Sequence, residues 1–393
     1  MTTPNTKNQT NNLVEPHPMM PKVNHDEIAE QMFVSDLKTF IGREIESGQR
    51  NLMTNKVVPM ITKKKGQAPA NHIEIRGEME KEPDYQAWAT LNRTAQEMMW
   101  DSVASCVDRQ LDKLVDKSDV KAPKGSLTLD PNFVVPRYID AFDIHCMPGN
   151  YHAVTRPNDV RQGAVFDRAA AIYHMGRNGG FMNDVRGHTI VSHLFERWPD
   201  LKPKRILDIG CTVGHSTVAI ASYFPDADVH GIDVGAGLLR YAWARAEHVG
   251  IGIHFSQQNA EETNFPDNHF DMVVSSAMLH ETSHAALPRI MKECHRVLKP
   301  GGVVIHLEVP GHYSQLDTWG RIRGDFEIFY NNEPFWRGAL STDFKAKVEE
   351  AGFKDVKAGY QDATAKAVRG AAPAFRDKSK GVHQSWFIAS GVK

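Results

Sequence analysis

Cysteine is scarce in this chain. Its 393 residues hold four, Cys106, Cys146, Cys211 and Cys294, with no paired spacing. That excludes a disulfide framework and fits reduced thiols in a reducing compartment. Charge of one sign is missing too: 46 Lys and Arg stand against 48 Asp and Glu, a formal net charge of −2. A polyanion-binding surface needs a basic excess, so composition makes no case for nucleic acid. The Lys63-Lys64-Lys65 run reads as a solvated loop. No apolar run approaches the length of about 20 residues that a membrane helix needs. Residues 1–24 are rich in Asn, Thr and Pro, lack the apolar core of a signal peptide, and read as a disordered tail. What remains is a cytoplasmic protein with 41% apolar and 24% charged residues, an ordinary globular balance. Its length suits an α/β domain of about 200 residues and an accessory domain.

The densest signal is Arg205-Ile-Leu-Asp-Ile-Gly-Cys-Thr-Val-Gly-His-Ser-Thr217. It reads as a short apolar strand, a turn with Gly210 and Gly214, and a helix start. That is how an α/β sheet builds a cofactor site at the carboxyl end of its first strand. Glycine lets backbone approach a ligand closely, and the helix N-terminus presents free N–H groups. A dinucleotide fingerprint would be Gly-x-Gly-x-x-Gly, whereas Thr212 stands at the middle glycine here. Asp208, two residues before the first glycine, would repel a pyrophosphate and suits a ligand with a positively charged end. About 20 residues after the turn, Ala227-Asp-Val-His-Gly-Ile-Asp233 reads as a second strand ending in an acid. A carboxylate there can accept from both hydroxyls of a ribose.

Three more stretches continue the pattern: Asn259-Ala260 after a third strand near 251–256, Phe265-Pro266 soon after it, and Val297-Leu-Lys-Pro-Gly-Gly302 between a helix and a strand over 303–309. With the glycine turn and Asp233, they resemble the class I S-adenosylmethionine-dependent methyltransferases, in particular the ubiquinone-biosynthesis type and related small-molecule enzymes. The resemblance covers residues 165–393. It implies a Rossmann-like, doubly wound seven-stranded sheet ending in an antiparallel hairpin, with S-adenosylmethionine as cofactor. Asp208, Gly210, Thr212 and Gly214 would hold the methionyl part, and Asp233 with Val234 the ribose. Asn259, Ala260 and Glu261 would meet the adenine, with Asn259 replacing the family's Asp, and Ser275 would end the fourth strand beside them. A segment before the first strand lies over the cofactor in that family and carries an aromatic residue, for which Tyr173 is the candidate.

Before that domain the pattern is helical. Ile28, Met32, Phe33, Leu37, Phe40, Ile41 and Ile45 recur at helical spacing, with Gly48 as a stop. Residues 50–83 carry several prolines and no clear element. A second helix spans 84–114. This mainly helical accessory domain, 25–120, is either a homodimer contact or a cap over the active site. Residues 121–164 form a Pro-rich connector in which His145, Tyr151 and His152 sit among apolar groups. Such loops line pockets, or else pack with their polar groups satisfied locally. The aromatic insertion over 310–340 either closes the substrate site or packs on the accessory domain.

His280-Glu-Thr-Ser-His284 matches the zinc-protease signature. That signature requires one helix carrying both imidazoles on a single face. Here it follows a buried strand over 270–276, and Ser, Thr and Pro288 around it favour a loop and a helix start. No metal is expected from it. Instead His280 and Glu281 are candidate catalytic residues beneath the methyl group, with His280 as a base because an imidazole titrates near neutrality. His145, Tyr151, His152 and Glu308 are candidate acceptor contacts. The sequence therefore points to a methyltransferase acting on a small molecule, with no nucleic acid or membrane partner. The alternatives are a nicotinamide-dependent oxidoreductase on a similar sheet and a non-catalytic protein that binds the cofactor.

Overall fold

The computed structural model describes residues 17–309 and 313–393. Among the described residues nine strands make one mixed sheet: β1 Ser126–Thr128, β2 Arg205–Ile209, β3 Asp228–Asp233, β4 His254–Gln257, β5 Phe270–Ser276, β6 Leu298–Glu308, β7 Lys354–Asp362, β8 Phe375–Arg376 and β9 Ser385–Val392. Their order is β1-β4-β3-β2-β5-β6-β9-β7-β8. Pairing is parallel from β1 through β6, and β9 runs antiparallel to both β6 and β7. Seven strands were expected, and the sheet of the described residues has nine, with β1 and β8 at its two edges. Both edge strands are short, and β1 comes from the connector, where no strand was read. Its three residues carry too little periodicity to announce themselves; pairing to His254, Phe255 and Ser256 defines them.

The central strands are apolar on both faces because helices cover both. Ile206, Met272, Val274, Val303 and Ile305 join the core on one side. Leu207, Ile209, Val273 and Val304 join the core on the other. The alternation along each strand is the ordinary two-residue period. The helices His215–Tyr223, Ala236–His248 and Leu287–Val297 alternate with the strands, which puts every parallel strand's carboxyl end on the same edge of the sheet. That edge holds the site.

The N-terminal region departs from expectation in several respects. Asn24 caps the helix His25–Phe40 in a reciprocal box with Glu27. The helical path then runs on through Gly48, with π turns at Ile41–Ile45 and Met53–Val57, to Lys65, where Gly66 at φ 73° ends it. An isolated glycine inside a helix costs only about 1 kcal/mol, so neighbouring contacts carry the helix past it. The next long helix stops at Asp108, and a separate one runs Leu111–Ser118.

The buried stripe of the first helix also differs from the pattern of its apolar residues. Glu27, Gln31 and Val34 are buried, whereas Met32, Phe33 and Phe40 are exposed. The reason is partnering across the fold: Arg109 pairs with Glu27 and the Arg168 guanidinium donates to Gln31. Hydrophobic periodicity cannot register polar groups satisfied by distant residues. Within the stretch read as a disordered tail, residues 1–16 lie outside the described residues, while His17, Met19 and Met20 are buried. In the aromatic insertion, residues 310–312 lie outside them as well.

Candidate active site

A cavity of about 630 Å³ opens at the carboxyl ends of β2, β3 and β5. One end of it is the glycine turn. Gly210 takes φ 69°, and a Cβ there would stand 2.4 Å from Met278 Cγ, so only glycine fits without displacement. Thr212 takes φ 47°, a conformation that costs a β-branched residue about 1–2 kcal/mol. Its amide is what holds it: Thr212 N donates to Asp233 Oδ2 at 2.9 Å. Gly235 N donates to Asp233 Oδ1 at 2.9 Å. Each carboxylate oxygen of Asp233 thus keeps a further lone pair for a ligand. Burial pushes the Asp233 carboxyl up to about 6, against the pull of these amides.

Asp208 lies behind this wall. It is 1% exposed, Thr217 Oγ1 donates to its Oδ2 at 2.6 Å, and its Oδ1 has no hydrogen-bond partner among the described residues. Burial raises its carboxyl to about 7. Arg186, in the first turn of the helix Val185–Arg197, lines the cavity. Its Nε is buried and without a hydrogen-bond partner.

The other end of the cavity is a cluster of imidazoles and carboxylates. The turn Leu279–Glu281 carries His280 and Glu281 into it. Glu308, at the end of β6, accepts from Leu279 N at 2.7 Å and from His280 Nδ1 at 2.8 Å. Tyr151 Oη donates to Glu281 Oε1 at 2.9 Å. His145 Nε2 lies 3.2 Å from the same oxygen, and its Nδ1 lies 3.0 Å from Glu333 Oε1. His145 sits at φ 55°, a strained backbone that the surroundings hold. Its carbonyl accepts from Trp100 Nε1 at 2.7 Å and Gln96 Nε2 at 2.9 Å. Both donors come from the helix Pro83–Asp108, so the N-terminal region builds this wall of the cavity.

Burial opposes charge on these imidazoles, but the carboxylates outweigh it. Glu308, Glu281 and Glu333 raise His280 to about 9, and Glu333 and Glu281 hold His145 well above its ordinary value. His280 is therefore charged at neutral pH in this cluster, where its sequence context placed it near neutrality. Burial would raise Glu281, yet His145 and His280 keep it below its usual range.

Of the residues selected from sequence, Tyr173, Gly210, Thr212, Asp233, Val234, Asn259, Ala260, His145, Tyr151, His280 and Glu281 all line this one cavity. The others do not. Asp208 and Gly214 sit behind the turn. Glu261 pairs with Arg289 and Tyr138. Ser275 hydrogen-bonds His306 inside the sheet, and Ser276 faces the cavity in its place. His152 pairs with Asp140 outside, and Glu308 hydrogen-bonds His280. Sequence reasoning missed Glu333, Arg186 and Trp100. Glu333 lies in the insertion read for its aromatics. Arg186 and Trp100 follow ordinary helical patterns, so no local signal marks them. The insertion itself has two faces: Arg323, Glu327, Glu333 and Trp336 line the cavity, while Trp319, Ile322 and Phe326 pack into the N-terminal core.

Comparison with known proteins finds one family model and several similar chains. Residues 206–302 match the family described as the methyltransferase domain. An uncharacterized methyltransferase of Synechocystis sp. is 31% identical over 156 residues, 39% of this chain and 68% of that protein. Demethylmenaquinone methyltransferase of Symbiobacterium thermophilum is 36% identical over 118 residues, 29% of this chain and 46% of that protein. Among solved structures, phosphoethanolamine N-methyltransferase 2 of Haemonchus contortus in complex with S-adenosyl-L-methionine aligns over 61% of this chain and 60% of its own, at 17% identity and TM-score 0.42. The matched region is thus 68% of the first relative and less than half, 46%, of the second. This chain belongs to the class I S-adenosylmethionine-dependent methyltransferases, and S-adenosylmethionine is its cofactor.

The residues present fit that cofactor. Asp233 keeps a lone pair on each oxygen for ribose hydroxyls. The glycine turn brings backbone to the cavity at Gly210, where Met278 fills the place a side chain would take. Asn259 lines the cavity beyond β4, and its carboxamide can both accept and donate to an adenine edge.

Proposed function

We propose that this protein transfers the methyl group of S-adenosylmethionine to a nucleophilic O, N, C or S atom of a small-molecule acceptor by in-line displacement. The observation that carries the reading is continuity. A single cavity joins the Asp233 and glycine-turn end to the His145, Tyr151, His280 and Glu281 end. The bound cofactor supplies an activated methyl on a sulfonium. The protein has to align donor and acceptor and keep water out. Asp233 grips the ribose, Asn259 meets the adenine, and Gly210 and Thr212 cup the methionyl chain. Arg186 is suited to the cofactor's carboxylate, as a half-buried cation whose buried Nε has no hydrogen-bond partner among the described residues. Tyr173 covers the cofactor. His280 and Glu281 contact the acceptor's polar head, and Tyr138, Tyr151, Phe166 and Trp336 offer apolar surface for its body. That lining favours an acceptor with a polar group on an apolar frame.

The test is transfer of labelled methyl from S-adenosylmethionine into metabolite extracts, alongside calorimetry with the cofactor. Labelled small-molecule product that disappears in Asp233→Ala supports the reading. Cofactor binding without any labelled product supports the non-catalytic alternative, and no cofactor binding by the folded protein overturns both. The compartment in this reading is the cytoplasm. The N-terminal helices, with Met32, Phe33 and Phe40 exposed, offer a homodimer contact that sedimentation would detect.

A further inference from the structure

We propose that His145, His280 and Glu281 hold a divalent first-row transition-metal ion at the acceptor end of the cavity. The inference deepens the proposed function, since it concerns the group that would meet the acceptor. His145 Nε2 and His280 Nε2 lie 3.2 and 3.7 Å from one atom, Glu281 Oε1. The ligand atoms of the three residues all lie within 4.8 Å of one another. Ligand atoms bound at about 2.0–2.2 Å stand about 3.0–3.6 Å apart around a tetrahedral or one-sided site, so the two contacts to Glu281 already have that spacing and the set closes on an ion with side-chain shifts of about 1 Å.

The surroundings match what such a site needs. A metal-bound imidazole normally engages its other nitrogen with a carboxylate, which fixes its orientation. Both do so here: His280 Nδ1 meets Glu308 at 2.8 Å and His145 Nδ1 meets Glu333 at 3.0 Å. Each nitrogen left over points to the same place. Glu308 and Glu333 are buried and Glu281 half-buried around the two imidazoles; with both imidazoles neutral, as ligation requires, a cation offsets that negative charge. Glu333 is 3% exposed and lines the cavity, and its Oε2 has no hydrogen-bond partner among the described residues. Two imidazoles and a carboxylate on one side of an ion leave positions open for a ligand, the arrangement of non-haem iron sites and one that also suits manganese and zinc.

This set is distinct from the His280-Glu-Thr-Ser-His284 string. That string is not one helix: His280 and Glu281 lie in a short turn, the next helix begins at Leu287, and His284 is exposed. His145 comes from 135 positions earlier and takes the place of His284. An ion here would hold an oxygen or nitrogen donor of the acceptor and lower the cost of its losing a proton.

Titration calorimetry of chelator-treated full-length protein with Zn²⁺ and with Mn²⁺ tests this, alongside metal analysis of the protein as purified. The expected result is about one equivalent of bound ion. Binding falls tenfold or more in His145→Ala and in His280→Ala, falls by about 10–100-fold in Glu308→Gln, and is unchanged in His284→Ala. Cofactor binding by the same samples reports that each variant is folded. No saturable metal binding by the wild-type protein, or binding that survives both His145→Ala and His280→Ala, overturns the inference. Cofactor binding retained without metal uptake overturns it while leaving the methyl-transfer reading standing.

Discussion

In the proposed reading, Asp233 is the residue on which cofactor affinity turns. Its oxygens already take two backbone amides, and hydrogen bonds to a charged group contribute about 1.5–3 kcal/mol each. Asp233→Ala should therefore weaken S-adenosylmethionine binding by at least tenfold in calorimetry, with the fold intact by circular dichroism. The same carboxyl sets a pH dependence. Burial places it at about 6, above its ordinary value, and only the ionised form accepts from both ribose hydroxyls. Affinity should fall as pH drops through about 6, by about tenfold between pH 7 and pH 5, and Asp233→Asn should flatten that profile. The stability effect has the opposite sign. A carboxyl whose folded value is raised binds its proton more tightly in the native state, so the cofactor-free protein loses this contribution as pH rises from about 4 to about 6. Arg186→Met should also weaken cofactor binding, since it removes a half-buried cation that lines the cavity. An unchanged dissociation constant would exclude Arg186 from the carboxylate contact. Asp233 was legible in the sequence because strand, turn and acid are local. Arg186 was not, because its position in the cavity depends on how its helix docks.

At the scale of elements, the decisive contact joins the N-terminal helices to the insertion after β6. Trp88 is fully buried and packs against Tyr85, Trp319 and Phe326, with ring centroids 5.1–5.5 Å apart. Truncating such a residue typically costs about 3–5 kcal/mol. Trp88→Ala should lower the melting temperature by several degrees. Because the insertion brings Glu333 and Trp336 to the cavity, it should also raise the KM for acceptor more than that for cofactor. Equal effects on the two would argue that the insertion does not shape the acceptor end. The aromatic content of both segments was visible in the sequence, and their pairing was not. An apolar stripe says that a face is buried without naming what buries it. The exposed Met32 and Phe33 beside buried Glu27 and Gln31 show the converse limit, where pairing with Arg109 and Arg168 reversed the pattern.

Across the whole molecule, a buried polar network ties residues at the start of the described chain to the cofactor domain. His17 Nε2 lies 3.0 Å from Asp167 Oδ2. Asp167 Oδ1 is 2.6 Å from His215 Nε2, and Tyr241 Oη donates to Asp167 Oδ2 at 2.7 Å. Burial works against the Asp167 charge, but His17 and His215 hold its carboxyl well below the usual range. A carboxyl depressed in this way contributes stability that is present above its ordinary value and lost as pH falls through the folded one. Removing one partner of a buried pair costs about 3–5 kcal/mol. His17→Ala should therefore lower the melting temperature at pH 7, with a smaller effect in strong acid, as measured by scanning calorimetry. An unchanged melting temperature would show that the segment before His25 is not part of the folded unit.

By itself the sequence determined the strands β2 to β7 and β9, the glycine turn, the acid that ends β3 and the family to which they belong. These are encoded within stretches of about 5–15 residues, where backbone preference and side-chain period act locally. Tertiary structure alone decided that His145, Glu281 and Glu333 share one cavity, that Trp100 fixes the strained His145 backbone, and that Asp208 stands behind the wall. Those contacts cross from 45 to 188 positions of chain, and no local preference reports them. They follow from how separate faces bury one another, and that burial also shifts the ionisation of the groups that meet there.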